Sequence, residues 1–121
     1  MLQLLLDIIC GSVDNEGEKM TSGRLAAVNI SAGINTLIYN NPGSHSFSAT
    51  VNICNRNDSD VVIRLGFVDG GLADLVAADW IEYDLTIRAN GILTRSKVEM
   101  TPNQSIVGYS SKANVSFQVW A

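Results

Sequence analysis

The chain has one histidine and two cysteines in 121 residues, and eight lysines and arginines against twelve acids. Each shortage argues against a class of function. The basic residues are scattered without a run and the net charge is −4. A general nucleic-acid binder would instead cluster Lys and Arg on one face. A hydrolytic Ser-His-acid set would have to use His45, which lies in a turn between Ser44 and Ser46 with no nucleophile elbow nearby. Neither Cys10 nor Cys54 has metal-ligand spacing with His45. Two cysteines make no disulfide framework, so both are expected as free thiols. No catalytic residue, metal site or cofactor is expected.

Long apolar runs are also missing. The N-terminal stretch Leu2 to Ile9 is broken by Asp7 and is far too short to span a bilayer. It lacks the basic flank of a signal peptide. The expectation is a protein made in the cytosol, with no membrane partner. The four Asn-x-Ser/Thr matches, at Asn29, Asn57, Asn103 and Asn114, then read as polar turn chemistry.

What is present is alternation. Phe47, Ala49, Val51 and Ile53 are apolar, with Ser48, Thr50 and Asn52 between them. Val61, Ile63, Leu65 and Phe67 repeat the pattern, as do Ile81, Tyr83, Leu85 and Ile87, and Val115, Phe117 and Val119. Successive strand side chains point to opposite faces, so each run has one core face and one wet face. Strands are expected near 24–30, 34–39, 45–54, 60–68, 80–87, 92–99, 104–109 and 113–120. Turn residues part them, and Asn90-Gly91 carries a strong hairpin signal. Eight short strands at this spacing predict an all-β antiparallel sandwich, jelly-roll or immunoglobulin-like.

Two segments break the rhythm. Residues 1–19 form an N-terminal arm ahead of a sandwich domain over 20–121. The arm holds four of the twelve acids and one of the eight bases, hence −3 of the net −4. Asp69 to Asp79 reads as a crossover from one sheet to the other, with about one helical turn. Its acids Asp69, Asp74 and Asp79 stand five apart, which does not match a calcium loop. Glu82 and Asp84 are expected on the outer face of one strand, where Arg64 or Arg95 on neighbouring strands could pair them. Trp80 and Trp120, with Tyr39 and Tyr109, are also expected to face outward, either as a sugar-stacking platform or as interface anchors.

Several segments taken together resemble a known group of proteins. They are Val51 to Arg56, Val61 to Leu65, Asp79 to Asp84, Ala89 to Arg95 and Ser110 to Val119. Their order is similar to that of small β-sandwich virion proteins of tailed bacteriophages, including those of cyanobacterial phages. The resemblance leaves out the arm. It implies a structural, non-enzymatic virion protein: a capsid decoration (cement) protein on the outer shell, or else a tail, baseplate or fibre accessory. A carbohydrate-binding module is the alternative of a different class. The implied partners are the major capsid protein and further copies of the chain, as a homo-dimer or homo-trimer, with no nucleic acid. An apolar arm of Leu2, Leu4, Leu5, Leu6, Ile8 and Ile9 could add to a neighbour's sheet edge or fill a groove. Trp80, Glu82 and Trp120 complete the expected partner-binding set.

Overall fold

The computed structural model describes residues 23–121, so the expected arm and its apolar residues Leu2 to Ile9 lie outside the described residues. Alternating apolar residues produce eight strands. These are β1 (Arg24–Ile30), β2 (Thr36–Asn40), β3 (Phe47–Asn55), β4 (Val61–Asp69), β5 (Trp80–Ile87), β6 (Ile92–Met100), β7 (Gln104–Ser110) and β8 (Val115–Trp120). One antiparallel sheet has the order β1-β8-β3-β6 and the other β2-β7-β4-β5.

The pairing is nested. β4 pairs with β5, β3 with β6, β2 with β7 and β1 with β8. One long hairpin has thus been rolled so that successive layers fall alternately into the two sheets. The β3–β8 and β4–β7 ladders then close each sheet. This order is a jelly roll, and it excludes the immunoglobulin arrangement.

Nesting corrects two expectations. Residues 70–79 do not carry the chain between sheets, because β4 and β5 are neighbours in one sheet. They form the tip of the long hairpin, as two 3-10 turns, Leu72–Asp74 and Ala77–Asp79. Asp74 accepts the Gly71 N–H at 3.0 Å and Asp79 the Val76 N–H at 2.9 Å, so these acids hold turns. Asn90-Gly91 does turn the chain, with Asn90 at φ 58°. It joins β5 to β6, which belong to different sheets, so it is a corner and not a hairpin.

The core lies between the sheets. Val51, Ile53, Ile63, Leu65, Ile106, Val115, Phe117 and Val119 are all fully buried there. Two buried asparagines fasten the sheets at their corners. Asn55, at the end of β3, donates through Nδ2 to the carbonyls of Ser59, Ile87 and Arg88 at 2.9–3.1 Å. Its Oδ1 accepts the Asn57 N–H at 3.0 Å. Asn41, just after β2, donates to the His45 and Met100 carbonyls at 3.0 and 3.2 Å, and accepts the Gly43 N–H. Each amide replaces the backbone pairing that a chain loses as it leaves a sheet.

Cys54 is a further correction. It sits half-buried on β3 between the buried Ile53 and Asn55, on the outward side as alternation requires. It is disulfide-bonded, and no described cysteine is free. The expectation of two free thiols therefore fails. The chain's other cysteine, Cys10, lies outside the described residues.

Candidate functional site

The outer face of the β2-β7-β4-β5 sheet carries a cluster of aromatic and charged side chains. Arg64 lies on β4 between the core residues Ile63 and Leu65, so it points outward. Tyr109 stands opposite it on β7. On the other side β5 is irregular. Ile63 faces Leu85, but Leu65 faces Glu82, so two residues of β5 oppose one of β4, Arg64. The surplus falls at Tyr83 and Asp84, and Asp84 takes φ 54°. A bulge of this kind re-aims side chains. Here it brings two consecutive residues, Tyr83 and Asp84, to the same arginine.

The Arg64 Nε–H donates to Asp84 Oδ1 at 2.7 Å. The guanidinium carbon lies 4.2 Å from the Tyr83 ring centroid and 4.6 Å from that of Tyr109, both within cation–π range. The hydrogen bond to Asp84 raises the Arg64 pKa further above its usual value. Among the described residues the two Arg64 Nη groups have no hydrogen-bond partner. The guanidinium is therefore fixed in orientation while its outer edge remains available.

One row further along, Leu37, Val107, Gly66 and Trp80 follow one another across all four strands. Gly66 has no side chain because Trp80 occupies the space: a Cβ there would stand 3.0 Å from the indole Cε3. Val107 is completely buried although it lies outside the core cluster. The Trp80 ring meets Tyr83 edge-on, with centroids 6.1 Å apart. Tyr83 is 58% exposed.

The expected site residues divide among three places. Trp80 belongs to this cluster. Trp120 is in the other sheet, half-buried on β8, where its indole N–H donates to Gln118 Oε1 at 3.2 Å. Trp80 and Trp120 therefore cannot form one stacking platform. Glu82 is in neither cluster. Its carboxylate pairs with Arg95 Nη2 at 3.2 Å, from edge strand β5 to edge strand β6 of the opposite sheet. Glu82 and Asp84 consequently do not share an outer face: the bulge sends one across the sandwich edge and the other onto Arg64.

Two aromatic expectations also change. Tyr83 and Ile81 alternate with Leu85 and Ile87 in sequence, yet both are exposed. Tyr39 goes the opposite way, packing on the core beside Phe47 with centroids 6.4 Å apart. Burial raises its phenol pKa above the ordinary tyrosine value. Alternation predicts Tyr83 on the core face because a strict period of two cannot register an extra residue.

Among the described residues, no three or more His, Cys, Asp or Glu side chains are placed to hold a metal ion. Among the described residues the His45 imidazole has one hydrogen-bond partner, the Ser44 hydroxyl at 3.3 Å. No described helix is long and apolar enough to cross a membrane. No protein-family model, curated protein or solved structure matches the chain.

Proposed function

We propose that this protein is a structural, non-catalytic component of a tailed-phage virion, a capsid decoration protein that binds the outer shell in many copies and stabilises it. It would be made in the host cytoplasm and assemble on the major capsid protein, as a dimer or trimer of the chain. The supporting observation is the jelly roll itself: a rigid body with two outer faces, a form that recurs in viral capsid and lectin domains. The segments that resemble phage virion proteins support the same reading.

In this proposal the β1-β8-β3-β6 sheet meets the shell. It carries Trp120, and it carries Cys54 within a disulfide. The arm residues Leu2, Leu4, Leu5, Leu6, Ile8 and Ile9 add apolar grip. Many weak contacts across one shell suffice through avidity.

Quantitative mass spectrometry of purified particles tests the proposal. Hundreds of copies per particle are the expected result. A handful would replace decoration with a tail, baseplate or fibre role, and absence from the particle would overturn the virion reading. A chain lacking residues 1–19 is expected to bind particles more weakly.

A further inference from the structure

We propose that the outer face of the β2-β7-β4-β5 sheet is a binding site for a neutral saccharide, built by Tyr83, Trp80, Tyr109 and the Arg64–Asp84 pair. The inference does not depend on the virion role, since it concerns the opposite face of the sandwich and a different ligand.

A sugar ring presents an apolar C–H surface and a rim of hydroxyls. Recognising it takes an exposed aromatic plane beside donors and acceptors of fixed direction. Tyr83 supplies the plane, being 58% exposed and braced edge-on by Trp80. Arg64 supplies donors. Its Nε is committed to Asp84 and its guanidinium is held by two tyrosine rings, so the Nη groups already point in a set direction. Asp84 supplies acceptors. One oxygen is held by Arg64, and the side chain is 48% exposed. Little ordering entropy is then left for binding to overcome.

Charge and area narrow the ligand. Arg64 and Asp84 cancel, no second base forms an ion pair with Asp84 among the described residues, and the chain as a whole carries −4. An anionic ligand such as a nucleic acid or a sulfated glycan has little to attract it. A protein partner would want a broad apolar surface. Here the middle of the most apolar row is already covered, with Val107 fully buried and Gly66 beneath Trp80, and Leu37 stands exposed at its far end. What remains open is small, half aromatic and half polar. The backbone agrees: a non-glycine residue is held at φ 54° at Asp84, the position that brings the acid to the arginine.

Affinity electrophoresis of the purified full chain through gels containing dextran, laminarin, mannan, galactomannan or xyloglucan tests the proposal, with dextran sulfate as the charged control. At least one neutral polysaccharide is expected to retard the protein, and added salt should leave the retardation unchanged. Tyr83→Ala is expected to weaken binding about tenfold or more, as loss of an exposed stacking ring implies. Asp84→Asn, which keeps a residue tolerant of the left-handed backbone, should weaken it by a smaller factor. Circular dichroism of both variants confirms that they fold. Ile92→Ala, on the opposite sheet, should bind as the parent does. Retardation by none of the neutral polysaccharides overturns the proposal. So does retardation by dextran sulfate alone, or binding that survives Tyr83→Ala in a folded protein.

Discussion

Gly108 shows how much a single hydrogen atom decides in this core. It lies on β7, and the Phe117 ring fills the space where its side chain would be. A Cβ would stand 2.6 Å from Phe117 Cε2 and 2.9 Å from Cζ, far inside contact distance. Phe117 is fully buried among close-packed neighbours and has nowhere to move. Gly108→Ala should therefore destabilise the protein by about 1–3 kcal/mol, the usual cost of overpacking. That loss would outweigh the few tenths to 1 kcal/mol or so that alanine commonly gains over glycine in the unfolded state. Urea unfolding followed by tryptophan fluorescence measures it, and an unchanged midpoint would refute the packing argument. Nothing in the sequence marks this glycine as a core position. Asn41 and Asn55 were legible only as turn residues, since their type announces a turn but not the far carbonyls of Met100 or Ile87 that they reach.

At the scale of elements, legibility was high for strands and low for their irregularities. β1 and β5 lie where alternation puts them, and β6 runs one residue beyond. A regular strand has a period of two, so reading one face gives the other. A bulge inserts one residue and inverts the assignments beyond it, until a second shift, here between Leu65 and Gly66, restores them for Trp80. Strict alternation therefore predicts Tyr83 in the core and Glu82 on the outer face, the reverse of what the bulge produces. The bulge at Asp84 gives a prediction of its own. The left-handed region costs a β-branched residue about 1–2 kcal/mol, while Asn and Asp visit it readily. Asp84→Val should therefore be less stable than Asp84→Asn by about that amount. Both lose the Arg64 ion pair, which at this exposure contributes little to either. Differential scanning calorimetry of the two variants separates backbone from charge; equal stabilities would mean that the bulge relaxes when its residue changes. Lys97 on β6 also has positive φ, at 60°. The two edge strands that share the Glu82–Arg95 bridge are thus both twisted out of regular geometry, a device that discourages edge-to-edge association.

The whole molecule is one hairpin folded over itself, and its connectivity sets an order in which the strands can pair. Only residues 70–79 need to close for β4 to meet β5. β1 and β8, whose register places Arg24 opposite Trp120, are separated by nearly the whole described chain. Loop-closure entropy rises with the length closed, so the inner pair can form first and shorten the loop that each outer pair must then close. Folding should accordingly take milliseconds to seconds, as in other sheet proteins dominated by distant pairings, rather than microseconds. The two ends of the nest should respond differently to mutation. Leu85 on β5 and Val28 on β1 both pack against the core from partly buried positions. Leu85→Ala should chiefly slow folding, because its contacts are present in the transition state. Val28→Ala should chiefly speed unfolding, because its contacts form last. Stopped-flow chevrons with the disulfide intact distinguish the cases. If Val28→Ala slowed folding in proportion to its loss of stability, the outer strands would belong to the nucleus. The nest would then close from its ends, by collapse of the two sheets, and not outward from the β4–β5 turn.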